Sequence, residues 1–328
     1  MKIAILTLPL NNNYGGLLQA YALQNYLKAK GHDVYSIQQP INKNQWVEIK
    51  EKLKNTLKVG NNTNSRFMQE FQHKNMQETI VVDSDKDFEK LKKYNFEAVI
   101  VGSDQVWRFN YIRENYKRYF LDFIKNDRIT KISYAASFGV DFWEADEDQT
   151  KNVTELIGRF DSVSVREKSG VNLCREKLNY PKAQHLLDPV LLFPADFYSN
   201  LYKNKNNDLV KNKLGYYLLD FDDQKKELVA LVEGELNLEA QSIGKTKNAS
   251  KFGIETKYPP VYEWIRGFAT SDFIVTDSFH GMLFSVIFEK PFIIIGNKTR
   301  GLSRFNSFLE MVNLKDRLID IDNYSQHT

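Results

Sequence analysis

Short apolar runs rich in Ile and Val recur along the chain, separated by longer stretches in which apolar residues return at helical spacing. In the first half Ile3–Leu6, Val34–Ile37, Ala98–Val101, Lys131–Ala135 and Ser162–Val165 read as strands. Leu17–Lys28 reads as a helix with Leu17, Ala20, Leu23 and Leu27 on one face and Gly31 as its stop. A second series follows, with strands at Leu214–Leu219, Ala240–Ile243, Phe273–Thr276 and Phe292–Ile295. Helical patterns cover about 224–234, 260–269, 279–289 and 301–312. Such alternation predicts the α/β class, with parallel sheets covered by helices. Two series predict two Rossmann-like domains facing across a cleft: residues 1–202, a polar linker at 203–213, and residues 214–328. Residues 42–75, rich in Lys, Asn, Gln and Glu, read as an exposed helical insertion.

Ligands of open parallel sheets bind beyond the carboxyl ends of the strands, so the polar segments there are the candidates for chemistry. Thr276-Asp277-Ser278-Phe279-His280-Gly281 lies between a strand and an apolar helix. Asp277 or Ser278 can cap that helix, whose first amides and dipole would stabilise an anion. His280 in its first turn is a candidate base or hydrogen-bond partner, with a core histidine as the competing reading. Gly15 and Gly16 bring bare backbone to the start of the first helix, where they can cradle a phosphate or carboxylate or serve only the turn. They lack the G-x-G-x-x-G dinucleotide fingerprint. Gly102-Ser103-Asp104-Gln105-Val106-Trp107 follows another strand. There Asp104 is a candidate general base or a helix cap, and Trp107 a stacking surface for a sugar or a core residue. Ala135-Ala136-Ser137-Phe138-Gly139 adds small residues and a hydroxyl. Arg166 stands where it can bind a carboxylate or phosphate bidentately, or pair structurally with Glu167 or Asp188. Lys245 closes a strand as a flexible cation or one more solvated lysine, and Arg300 and Arg304 bracket the last helix.

Composition changes this picture little. The 328 residues are 42% apolar and 13% aromatic, ample for sizeable cores. With 45 basic and 42 acidic residues the net charge is +3, which calls for neither nucleic acid nor an anionic membrane. Cys174 alone allows no internal disulfide and no Cys-based zinc site, reads as a small buried hydrophobe, and favours a reducing compartment. None of the five histidines stands in an H-E-x-x-H pattern, so no metal is expected. The apolar start at Lys2–Leu10, broken by Thr7 and Pro9, is expected to be a strand rather than a signal peptide. The expected setting is cytoplasmic, with no transmembrane segment and at most peripheral membrane contact.

Six segments in this order carry a family resemblance: Tyr14-Gly15-Gly16 with Gln19-Ala20, Val101–Gln105, Tyr134–Gly139, Ser164–Glu167, Leu187-Asp188-Pro189 and Thr276–Gly281. Together the chain resembles the polysaccharide pyruvyl transferase family. The resemblance implies a fold like the two-domain GT-B glycosyltransferases and transfer of pyruvate from phosphoenolpyruvate to two sugar hydroxyls, giving a cyclic ketal and phosphate. It implies phosphoenolpyruvate as co-substrate without a further cofactor, and a sugar acceptor, lipid-linked or nucleotide-linked, in surface polysaccharide (exopolysaccharide) biosynthesis. Several members of that family carry Arg-Leu-His where this chain has Ser278-Phe279-His280, which removes a cation from the expected donor site.

On this reading His280 and Asp104 are the catalytic pair. Gly15, Gly16, Arg166, Ser278, Gly281 and Lys245 would hold the donor, and Tyr14, Gln105, Trp107 and Ser137 the acceptor. The alternatives are a GT-B glycosyltransferase using a nucleotide sugar and a non-catalytic ligand-binding module.

Overall fold

The computed structural model describes residues 1–11, 13–40, 63–203, 212–250, 253–296 and 301–321. Of the expected insertion at 42–75 only the part from Thr63 lies among them, most of the expected linker lies outside them, and so does Arg300. The first lobe carries six strands: β1 (Lys2–Leu6), β2 (Asp33–Ser36), β3 (Ala98–Val101), β4 (Thr130–Ala136), β5 (Ser162–Val165) and β6 (Gln184–His185). They pair in parallel in the order β2-β1-β3-β4-β5-β6. The second lobe carries β7 (Lys213–Tyr217), β8 (Glu239–Ser242), an antiparallel hairpin β9 (Thr246–Ser250) and β10 (Gly253–Lys257), then β11 (Phe273–Thr276), β12 (Phe292–Ile295) and β13 (Leu318–Ile319). Its main sheet is also parallel, in the order β13-β12-β11-β7-β8.

Hairpin aside, each sheet starts at an inner strand, adds its second strand on one side and all later strands on the other. The winding therefore reverses between β1 and β3, and again between β7 and β11. Those are the switch points at which doubly wound sheets bind ligands.

The inner strands of both sheets are largely apolar because both faces are covered, whereas the edge strands β6 and β8 are polar and partly exposed. On β1, Ile3 and Ile5 pack with Leu23 and Ile100 on one side, whereas Ala4 and Leu6 pack with Val99 and Val101 on the other. The helix α1 (Tyr14–Ala29) begins three residues earlier than its apolar stripe predicts, so Gly15 and Gly16 lie inside its first turn. It is also buried far beyond one stripe: every residue from Tyr14 to Gln24 is buried. The reason is tertiary. Leu23 faces the first sheet, while Leu17, Leu18 and Tyr21 join a second-lobe core containing Trp264, Phe268, Met282 and Leu283. That core comes from α6 (Val261–Thr270) and α7 (Phe279–Ile287), in a chain order that also includes α2 (Thr63–Asn75), α3 (Glu147–Ile157), α4 (Lys168–Lys177), α5 (Asp223–Leu236) and α8 (Ser303–Met311). The helix α2 is not simply exposed, since Met68 and Phe71 are buried and Phe71 meets Tyr21 edge-on. Fully buried Trp264 stacks on Tyr14 with centroids 5.3 Å apart, and Tyr198 meets Phe284 edge-on at 5.0 Å, so aromatic pairs join the lobes.

Candidate active site

The carboxyl edge of the first sheet supplies three loops. After β1, Asn13 caps α1 in an extended conformation without a side-chain capping bond, so the first-turn amides of Tyr14, Gly15 and Gly16 have no capping side chain. Gln19 Nε2 donates to the carbonyl of Gly16 and to Thr7 Oγ1, and Thr7 Oγ1 donates to the carbonyl of Ser103, which ties this loop to the next. After β3, Asp104 takes φ of +76°, a region that few non-glycine residues occupy and that often marks functional loops. It is held there because Ser137 N and Val106 N donate to its carbonyl and Gln105 N donates to Oδ1. After β5, Arg166 is aimed back across the edge toward the strand-end residue Asp188.

Asp188 is the centre of the arrangement. Its Oδ2 accepts from Arg166 Nη1 at 2.6 Å and from Ser103 Oγ at 2.9 Å, and Oδ1 accepts from Val190 N at 3.1 Å. His280 Nε2 of the second lobe lies 3.4 Å from the same Oδ2 without forming a hydrogen bond. Burial alone would raise the Asp188 carboxyl; the neighbouring His280 and Arg166, with the Val190 amide, instead hold it well below the usual carboxylate range. Arg166 Nη2 stands 3.5 Å from Asp104 Oδ1, and neither this nitrogen nor Nε makes a hydrogen bond. The competing structural pair with Asp188 therefore exists, yet it occupies only one edge of the guanidinium.

The second lobe closes the cluster from above. Ser278 caps α7, its Oγ accepting from Gly281 N at 3.3 Å. Asp277, the other expected cap, does something different: it accepts from the amides of Leu219 and Asp220 and from Lys225 Nζ at 2.8 Å. The amides of Phe279 and His280 begin the helix, where no intrahelical partner exists. Phe279 is flanked by two guanidiniums, Arg166 at 4.7 Å and Arg304 at 5.4 Å from its ring centroid. Burial, followed by repulsion from Arg166, pushes Arg304 down to about 10. Gly15 fits against the His280 imidazole so closely that a β-carbon there would sit 2.1 Å from Cγ. A β-carbon at Gly16 would meet Asp104 Oδ2 at 3.0 Å. The two glycines thus let the start of α1 reach both candidate catalytic side chains, beyond any service to the turn.

Other expected residues lie elsewhere or are already engaged. Trp107 is fully buried, stacks on Phe120 and donates Nε1–H to the carbonyl of Tyr119, so it belongs to the core and offers no face to a sugar. Tyr14 is covered by Trp264, and its hydroxyl donates to the carbonyl of Pro259 across the lobes at 2.5 Å. Ser137 Oγ donates to Glu167 Oε1, which also accepts from Phe138 N and Gly139 N; the hydroxyl shapes that loop rather than facing the cleft. Gln105 Oε1 accepts from Arg108 Nη1. The Gly281 amide is taken by the cap, and its missing side chain admits Thr276 Oγ1. Lys245 is exposed in the β8–β9 turn, where its carbonyl accepts from Ser242 Oγ. The structure thus gathers Asp104, Gly15, Gly16, Arg166, Ser278 and His280, and adds Asp188, Ser103 and Arg304. For Asp188 the sequence offered two signals, its place in the Leu187-Asp188-Pro189 segment and its standing as a candidate structural partner of Arg166.

Among the described residues there is no group of three or more side chains suited to hold a metal, and no helix is long and apolar enough to cross a membrane. Comparison with solved structures finds the same architecture at very low identity. A putative UDP-N-acetylglucosamine 2-epimerase from Listeria monocytogenes matches with TM-score 0.53 and 10% identity over 96% of this chain and 88% of that one. A UDP-GlcNAc 2-epimerase from Neisseria meningitidis, bound to UDP-GlcNAc, matches with TM-score 0.51 and 8% identity over 96% and 92%. An alpha-glucosyltransferase in complex with UDP matches with TM-score 0.50 and 11% identity over 92% and 81%. These show a GT-B-like fold of two facing α/β domains and nothing of substrate. No curated protein sequence matches the chain. The family model for polysaccharide pyruvyl transferase matches residues 13–299, a span that contains every residue of the Asp188 cluster except Arg304, and the chain belongs to that family of transferases.

Proposed function

We propose that this protein transfers the pyruvyl unit of phosphoenolpyruvate onto two hydroxyls of a sugar, releasing phosphate and closing a cyclic ketal. One observation carries the reading: an imidazole, two buried guanidiniums and the starts of two helices converge where the winding of both sheets reverses. Phosphoenolpyruvate is a small anion with a carboxylate and a phosphate, and such a set of donors suits it. Arg304 makes up for the cation that Ser278 does not supply.

The reaction needs a proton delivered to the methylene carbon while a sugar hydroxyl adds to the adjacent carbon and loses its own proton. His280 is the group assigned to proton delivery, with Asp188 beside Nε2 orienting the ring. Asp104 orients the acceptor diol and takes the hydroxyl proton. The second hydroxyl then displaces phosphate, which leaves with that hydroxyl's proton, its developing charge stabilised by Arg166, Arg304 and the α1 and α7 amides. His280, Asp104 and Arg166 are 6%, 4% and 3% exposed, so the lobes must part for a donor to enter. They meet at Gly139 and Gly301, where a β-carbon on Gly301 would lie 2.1 Å from the Gly139 carbonyl oxygen.

We place the reaction in the cytoplasm during surface polysaccharide assembly, on an acceptor carried by lipid or nucleotide; the lone, buried Cys174 suits a reducing setting. Phosphate release from phosphoenolpyruvate against a panel of lipid-linked and nucleotide-linked hexoses tests this, with release expected only when both substrates are present. Acceptor-independent release, or none with any acceptor, defeats it. A nucleotide-sugar donor is favoured by fold alone, and side-by-side calorimetry of the two donors separates the readings.

A further inference from the structure

The ring of Phe279, at the start of α7, has the guanidinium of Arg166 from the first lobe 4.7 Å from its centroid and that of Arg304 from α8 at 5.4 Å. We propose that Phe279 is a positioning residue whose ring holds these two cations together, so that they meet one dianionic donor as a preformed pair; the choice of donor rests on the pyruvyl-transfer reading above.

Charge is the first argument. Both guanidiniums are buried, and like charges repel more strongly away from water. Arg304 shows the effect, lowered first by burial and then by Arg166. The face of an aromatic ring is negative, so a ring within about 6 Å of each cation attracts both and offsets part of that repulsion, which an aliphatic side chain does not do. Placement is the second argument. The ring is itself fixed: it is buried and meets Phe305 at 77° with centroids 5.8 Å apart, and Phe305 directly follows Arg304 on α8. Asp188 holds Arg166 at Nη1, and the ring relates that guanidinium to the one on the opposite lobe. Because the two cations come from different lobes, their spacing depends on a group that both touch. Phosphoenolpyruvate carries two anionic groups and gains most from cations already spaced for it, since less has to be ordered on binding.

The test is calorimetry with phosphoenolpyruvate on wild type, Phe279→Leu and proteins carrying monofluorinated or trifluorinated phenylalanine at position 279, with phosphate release and melting curves measured on each. Fluorine drains the negative face while hardly changing the shape of the ring, so it separates attraction for the cations from packing. Donor affinity should fall about threefold with the trifluorinated ring, less with the monofluorinated one and about tenfold in Phe279→Leu, while the fluorinated proteins melt as wild type does. The kcat/KM for the donor should fall in the same order. Equal affinity across the fluorinated series, or a loss in Phe279→Leu that the series does not share, overturns the proposal and makes the ring core packing. A wild type that binds no phosphoenolpyruvate overturns it together with the donor reading. Binding without turnover on any acceptor sinks pyruvyl transfer alone, and the series still decides the role of Phe279. Should Phe279→Leu fail to fold, the fluorinated proteins carry the test.

Discussion

Asp188 in the first lobe and Asp277 in the second are both buried carboxylates just beyond strand ends, each paired with a buried cation, yet the two pairs are built differently. Asp277 and Lys225 complete one another: the carboxylate takes two amides and the ammonium, and the ammonium also donates to the Asp220 carbonyl at 2.6 Å. Asp188 is equally inaccessible, but its partner Arg166 keeps Nε and Nη2 without hydrogen bonds, and His280 Nε2 is likewise without one. Buried polar atoms are rarely left so, and here three of them, on Arg166 and on His280 of the other lobe, lie beside one carboxylate. A closed ion pair organises the second lobe; an incompletely satisfied one retains capacity for a ligand.

The sharpest separation comes from His280→Ala, which should lower phosphate release by about 10²–10⁴-fold while the melting temperature hardly changes. Full turnover would remove the imidazole from the mechanism. Next, Asp277→Ala should cost about 3–5 kcal/mol in urea denaturation because buried Lys225 keeps only the more distant, exposed Asp222 as a carboxylate neighbour. The double change Asp277→Leu with Lys225→Met should recover much of that loss, as expected if the pair is purely structural. At the other carboxylate, Arg166→Lys should weaken phosphoenolpyruvate binding by about tenfold in calorimetry, since an ammonium cannot present two parallel donors. Unchanged affinity would make that pair as structural as its counterpart.

A subtler difference is in acid. Because the Asp188 carboxyl titrates below its unfolded range, the stability it contributes is complete above about 4 and is lost as pH falls from there toward its depressed folded value. Asp188→Asn should flatten that part of the stability curve, as read by thermal melts across pH. Smallest of all, burial pushes the Cys174 thiol up to about 12, so disulfide reagents at pH near 8.5 should label it only after denaturant is added.

Much of the architecture is legible in sequence because the inner strands of both sheets are buried on both faces. Ala98–Val101, Ser162–Val165, Phe273–Thr276 and Phe292–Ile295 are strands with the expected limits, each an apolar or β-branched run ending at polar residues. The edge strand Gln184-His185 and the hairpin strand Thr246–Ser250 carry no apolar pattern, and Leu318-Ile319 is too short to show one. The start of α1 lies earlier than the pattern predicts because Tyr14, Gly15 and Gly16 do not extend its stripe; Tyr14 and Gly15 are covered by Trp264 and His280 of the other lobe, and Gly16 packs against Asp104. At the site, residues at strand ends could be foreseen singly, and Arg166, Asp104 and His280 do converge. What could not be foreseen is the meeting point. The Arg166–Asp188 pair stood among the alternatives, but Asp188 also joins Ser103 from 85 positions away and meets His280 of the other lobe, and no local periodicity encodes such contacts. Trp107 shows the converse, where an aromatic at a loop was expected to face outward and the adjoining Phe120 and Phe138 claimed it.

Gly15 has one consequence for dissecting the protein. The imidazole at 280 is seated on a bare α-carbon supplied by the opposite half of the chain, like a key resting on a notch cut in another piece. A severed C-terminal half would keep its own Ser278 cap but have no floor beneath that ring. Co-expressed fragments should therefore regain turnover only when they reassociate in full register, and a methyl group at 15 should uncouple them without touching either core.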